Sequence, residues 1–86
     1  MIVQGGKASI APTTYSKLGS DCAGSSGTAN RTLDLADEAA NEIIFVQGSF
    51  LHPTQDYTKA LVGGVSRYTF INKVYNNFFI EVFYWT

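Results

Sequence analysis

The stretch Glu42–Thr58, EIIFVQGSFLHPTQDYT, constrains the fold more than any other part of the chain. An apolar run through Val46 is followed by Gln47-Gly48 and by a second short run that stops at Pro53. Two such runs joined by two residues predict an antiparallel hairpin. A type I′ turn needs positive φ at both loop residues, and Gly in the second position adopts it freely. Gln is a less natural first loop residue than Asn or Asp. Pro53 has no N–H to donate and ends the arm, and the Asp56 carboxylate can accept backbone N–H groups and fix the bend. Tyr57 then enters the next strand as a packing anchor, with its hydroxyl expected to reach water or a backbone group. All these residues serve geometry and none carries chemistry.

The β pattern continues to the C-terminus. Tyr57–Val62 is expected as a strand closed by a Gly63-Gly64 turn. Ser66–Ile71 follows, with Tyr68 and Phe70 on one face and Arg67 and Thr69 on the other. Asn76-Asn77 is expected to turn because Asn tolerates left-handed backbone. In the last strand, Phe78–Trp85, Ile80, Val82 and Tyr84 alternate with Phe79, Glu81, Phe83 and Trp85. Both faces are apolar apart from Glu81, whereas a strand with one wet face alternates more cleanly. Phe79, Phe83 and Trp85 are therefore interface candidates, the other reading being that Phe79 and Phe83 lie under the N-terminal arm.

Upstream, Arg31–Leu35 alternates as a short half-buried strand, with Leu33 and Leu35 inward. Asp37–Asn41 reads as a loop between strands, a single helical turn capped by Asp37 being the other reading. Residues 1–30 hold five of the eight glycines with many Ser and Thr, and read as a loop-rich arm ahead of a β domain at 31–86. Within the arm, Ile2-Val3-Gln4 is a candidate short strand and Ala8–Thr14 a candidate extended piece. Pro12 suits only an edge or a turn. No apolar series at helical spacing runs long enough for a substantial helix. The expected fold is all-β: a small antiparallel β-sandwich or barrel with a loop-rich N-terminal arm.

Eighty-six residues give one small core, and 45% apolar content is that of an ordered chain. The 14% aromatic content favours strands. Six scattered Lys and Arg with net charge −1 make no basic patch, so no nucleic-acid partner is expected. No apolar run is long enough for a membrane helix and no secretory signal is apparent, so synthesis in the cytoplasm without membrane insertion is expected. The thin stability margin of so small a core argues for assembly with identical or different chains.

Reactive groups are sparse. His52, the single histidine, sits beside Pro53 as a turn residue, and the single cysteine, Cys22, lies in a Gly/Ser loop. No flanking pattern supports a Cys–His nucleophile. Gly63-Gly64 lacks the spacing of a phosphate loop. The acidic run Asp34, Asp37, Glu38 and Glu42 does not match a calcium loop and reads as a solvated edge. Asn30-Arg31-Thr32 fits a glycosylation pattern that a cytoplasmic chain does not meet. No catalytic, cofactor-binding or metal-binding residue is assigned, and the chain is not expected to be an enzyme.

From Ile43 to Tyr84 the order of elements resembles a small β module of tailed-bacteriophage structural proteins. The residues that carry the likeness are Ile44-Phe45-Val46, Gln47-Gly48, Leu51-His52-Pro53, Asp56-Tyr57-Thr58, Tyr68-Thr69-Phe70 and Ile80-Glu81-Val82-Phe83-Tyr84. Gln47 departs from the family's Asn, and Asn72–Asn77 is larger than the usual polar turn. The resemblance implies a non-enzymatic structural subunit of a virion, in a tail fibre, baseplate, neck or capsid decoration. Its partners would be virion proteins and copies of itself, a trimer being one form. Tyr57, Phe70, Ile80 and Val82 are expected in the core. The alternative function is a carbohydrate- or host-surface-binding adhesion module using Tyr75, Asn76 and Asn77.

Overall fold

The structure is a computed structural model and describes residues 11–86. They form β1 (Thr13–Leu18), a 3-10 turn at Gly19–Asp21, β2 (Arg31–Asp34), β3 (Asn41–Val46), β4 (Ser49–Phe50), β5 (Tyr57–Val62), β6 (Val65–Phe70) and β7 (Phe79–Trp85). The strands make a four-stranded sheet in the order β1-β7-β3-β4 and a three-stranded sheet in the order β2-β6-β5. Every ladder is antiparallel. The chain is thus a small all-β sandwich, as its alternating runs predict.

Side-chain alternation fixes what lies between the sheets. β7 contributes Ile80, Val82 and Tyr84 and β3 contributes Ile44, while β5 and β6 send in Tyr57, Tyr68 and Phe70. Leu33, Leu35, Ala39, Val74 and Cys22 complete the core. The four expected core residues Tyr57, Phe70, Ile80 and Val82 are each no more than 2% exposed. Burying large side chains of this kind contributes about 1.5–3 kcal/mol apiece.

The predicted hairpin turn is present. Gln47 and Gly48 have φ of 54° and 78°, and Gly63 and Gly64 have φ of 60° and 85°, the signs a type I′ turn demands. Gln47 fits because its side chain is long enough for Oε1 to accept the backbone N–H of Phe79, while its own N–H donates to the Phe79 carbonyl. Asp56 clasps the next bend as expected, its Oδ2 accepting the His52 N–H at 2.7 Å.

Several expectations need correction. Within the loop-rich stretch 1–30 the strand runs further than the extended piece expected to end at Thr14: Thr13–Leu18 pairs residue for residue with β7, which supplies the apolar surface that TTYSKL lacks. Pro12 does immediately precede this edge strand. Ile2-Val3-Gln4 and the first part of Ala8–Thr14 lie outside the described residues. Asn76-Asn77 does turn, closed by the Phe78 N–H donating to the Tyr75 carbonyl at 3.0 Å. Neither Asn has positive φ, so tolerance of left-handed backbone is not the reason. Because its N–H closes that turn, Phe78 precedes the last strand, which begins at Phe79.

Two residues tie the loops to the sandwich. Arg31 is 3% exposed and donates through Nε, Nη1 and Nη2 to the carbonyls of Ala23, Val74, Cys22 and Gly24. Four oxygen dipoles around one guanidinium offset the cost of burying its charge. At Gly19 a Cβ would stand 1.9 Å from the Tyr75 carbonyl oxygen, so the close approach of 19–22 to 75–78 requires glycine.

Candidate interaction surface

The residues that alternate away from the core in β7 and β3 build the outer face of the four-stranded sheet. Phe79, Glu81, Phe83 and Trp85 project from β7, and Asn41, Ile43 and Phe45 from β3. Phe79 is 67% exposed, while Phe83 and Trp85 are half-buried. On this face Ile43 and Thr14 flank Phe83 from either side, and Leu18 lies opposite Phe79. The strand alternation therefore does bring Phe79, Phe83 and Trp85 to one surface.

Phe45 packs edge-on against Phe83 and against Phe50, both at 6.1 Å between ring centroids. Phe50 in turn meets the His52 ring at 5.0 Å. The result is a row of rings across β7, β3 and β4, an arrangement in which ring edges meet ring faces favourably. Phe50 is 47% exposed and Ile43 38% exposed, so the row is open on its outer side among the described residues. Beside Phe79 lies a groove of about 510 Å³ that Ser16, Gln47, Gly48 and Glu81 help to line.

Ile43, Phe45 and Phe50 were not singled out from the sequence. The signal was available: β3 is apolar on both faces as β7 is, and two adjacent strands with that property share one outer patch. Glu81 is the exception at the centre, directly opposite Phe45.

Glu42 was expected on a solvated acidic edge and instead enters the sandwich. Its carboxylate accepts the hydroxyls of Tyr57 at 2.9 Å and Tyr68 at 3.0 Å, and pairs with the Lys59 ammonium at 2.8 Å. The Tyr57 hydroxyl thus finds a carboxylate, where water or backbone was expected. Burial, followed by the hydrogen bond to Glu42, drives both phenols far above their ordinary range. Asp37 likewise accepts the Tyr84 hydroxyl at 2.7 Å, and that bond raises the Tyr84 phenol first, burial second. Asp34 holds Arg67 in a two-pronged pair at 2.7 and 3.0 Å, which lowers the Asp34 carboxyl. Asp34, Asp37 and Glu38 thus stay on an exposed edge, the first two with structural partners, and Glu42 alone leaves it. Among the described residues no three His, Cys, Asp or Glu side chains are grouped to hold a metal ion.

Cys22 is 6% exposed within the core, and burial pushes its thiol up more than the neighbouring Arg31 charge draws it down. A thiol in that state is a packing group, because the nucleophile is the thiolate. His52 is exposed and its ring rests on Phe50. Tyr75 is 45% exposed, but its ring packs 5.4 Å from Phe78 and stands where a side chain on Gly27 would go. The Asn76 N–H is held by the Ser26 hydroxyl at 3.0 Å, so Tyr75 and Asn76 fasten the loop at residues 25–28.

Fold and surface together define a small antiparallel β-sandwich with an open aromatic sheet face. Comparison of the chain with family models, curated proteins and solved structures returns no match.

Proposed function

We propose that the chain is a non-enzymatic structural subunit that works by protein–protein assembly, of the kind found in tailed-bacteriophage virions. The observation that carries the assembly reading is the outer face of β1-β7-β3-β4, where Phe79 is 67% exposed, Phe50 47% and Ile43 38%. Contiguous apolar surface of this kind is favourable to cover at about 25 cal/mol per Å². Glu81 at the centre of the patch asks for a Lys or Arg from the covering subunit, since a carboxylate buried without a partner is costly. The rings already fixed by neighbours, Phe45 and Phe83, lose little side-chain freedom on docking, which suits them as anchors.

Placement in a phage particle is supported by the resemblance across Ile43–Tyr84, in which the hairpin turn, the Leu51-His52-Pro53 step and the Asp56 clasp serve geometry alone. The test is quantitative mass spectrometry of purified particles alongside sedimentation of the isolated chain. The expected result is the chain in particles at a fixed ratio to a known structural protein. Paired Phe79→Ser and Phe83→Ser substitutions are expected to prevent incorporation while leaving a folded chain. Absence from particles would remove the virion reading. Incorporation of the doubly substituted chain at the normal ratio would remove the aromatic face.

A further inference from the structure

The exposed edge of β5 has a property that the aromatic face does not: it is complementary to itself. In the β5–β6 hairpin the two-residue Gly63-Gly64 loop makes Val62 and Val65 a hydrogen-bonded pair, so Thr58, Ala60 and Val62 bond to β6 and Tyr57, Lys59 and Leu61 direct their N–H and C=O outward. The neighbours agree. Ser66, opposite Leu61, spends its N–H on the Asp37 carbonyl and its C=O on the Leu35 N–H, both away from β5. The outward C=O of Tyr57 is already taken by the Thr54 N–H at 2.8 Å. Among the described residues that leaves Lys59 and Leu61 as the open positions, placed symmetrically about Ala60.

Natural edge strands are blunted by bulges, prolines or projecting lysines. β5 has an unbroken register from Tyr57 to Val62 and no proline. Its one lysine is turned inward, with Lys59 Nζ bound to Glu42 and to the Ala39 carbonyl at 2.6 Å. Leu61, at 60% exposure, and Val62, at 36%, remain uncovered beside it. The other edges are less available. β4 is two residues long, β2 is bridged at Thr32 by Ala23, and β1 borders a groove lined by Lys17, Asp21, Asp34 and Arg67.

We propose that two copies of this chain pair antiparallel through their β5 edges, about a two-fold axis at Ala60, joining their three-stranded sheets into one six-stranded sheet. With the axis there, Lys59 of each copy faces Leu61 of the other. Each such pair exchanges both of its N–H···O=C bonds, so all the open groups of the edge are satisfied at once. Leu61 then lies along the methylene stem of the opposite Lys59, whose charge is already matched by Glu42. A two-fold axis uses the same patch on both copies, which a self-complementary edge requires. The pairing rests on the reading of the chain as an assembling subunit but uses the opposite sheet from the aromatic face.

Cross-linking of the intact chain tests the axis. Ala60 faces its own counterpart as a non-hydrogen-bonded pair at about 4.5 Å between Cα atoms, within reach of a disulfide. An Ala60→Cys chain is expected to form a covalent dimer rapidly under mild oxidation. A Thr58→Cys chain, on the same face but with its counterpart roughly 13 Å away along the strands, is expected to stay uncoupled. Leu61→Pro removes an outward donor and no hairpin bond, and is expected to weaken the wild-type dimer about tenfold or more in sedimentation. If that variant loses its circular dichroism, Leu61→Lys, which sets a second ammonium against Lys59, replaces it. Cross-linking of Ala60→Cys no faster than Thr58→Cys overturns the proposal. Ala60→Cys coupling is expected to survive Phe79→Ser, so loss of the edge and loss of the aromatic face read out separately.

Discussion

The hydroxyl of Tyr68 on β6 donates to Oε1 of Glu42 on β3 at 3.0 Å, a bond that crosses the sandwich from one sheet to the other. Tyr57 reaches Oε2 of the same carboxylate and Lys59 neutralises it, so a single acidic side chain, 10% exposed, fastens three residues of the facing sheet. Hydrogen bonds to a charged acceptor contribute more than neutral ones. Glu42→Gln is expected to cost about 1–3 kcal/mol, measured by urea denaturation at neutral pH.

The same site sets an alkaline limit. Tyr57 and Tyr68 have phenols raised above the unfolded value, by burial first and by Glu42 second. Above pH about 10 the unfolded chain releases these protons while the folded chain keeps them, so the stabilisation is whole below that pH and declines as pH rises. Denaturation midpoints taken between pH 8 and 11 are expected to fall, and to fall less steeply in Glu42→Gln. A flat wild-type profile would contradict the account.

Arg31 offers a test of the loop anchor. Its guanidinium donates to four carbonyls, Ala23, Val74, Cys22 and Gly24, a set that one ammonium cannot reach. Arg31→Lys is expected to cost about 2–4 kcal/mol and to speed hydrogen exchange at residues 22–28, because a buried charge is left with fewer partners. Exchange protection there equal to wild type would show that the loop holds itself.

Neighbours on β7 are expected to respond in opposite ways. Ile80 is fully buried and Phe79 is 67% exposed, although the two are adjacent and both apolar. Ile80→Ala is expected to cost about 2–5 kcal/mol, the usual range for emptying a core site. Phe79→Ala is expected to cost under about 1 kcal/mol in the isolated chain. Thermal melts of the two variants decide it, and a large loss from Phe79→Ala would place that ring in a covered site.

Gln47 tests the local turn against its surroundings. Asn favours the left-handed backbone adopted here at φ 54°, but its shorter side chain does not reach the Phe79 N–H that Gln47 accepts. Gln47→Asn is expected to lower stability by about 0.5–1 kcal/mol. A more stable variant would mean that backbone preference outweighs the side-chain bond.

Much of the fold is legible in the order of the residues. The span of β5, the two glycine-containing hairpin turns and the inward faces of β6 and β7 follow from alternation and from which residues accept positive φ, both local properties. β1 was not legible, because Thr13–Leu18 has little apolar pattern of its own and is held as a strand by β7 far along the chain. The aromatic face was half legible. Phe79, Phe83 and Trp85 declare themselves by breaking the alternation of one strand, whereas Ile43, Phe45 and Phe50 join them only once β3 and β4 lie alongside.

The sequence by itself determined the strands after β1, their inward faces and the two glycine-containing turns, because each depends on side-chain period and backbone preference within a few residues. Only the tertiary structure decided where the charges went. Glu42, Asp37, Asp34 and Arg31 find partners 26 to 47 residues away, among them Tyr68, Tyr84, Arg67 and the Val74 carbonyl, and no local pattern distinguishes a carboxylate facing water from one facing two phenols and an ammonium. The edge that β5 presents among the described residues is likewise a tertiary fact, since it depends on which strands are laid beside it.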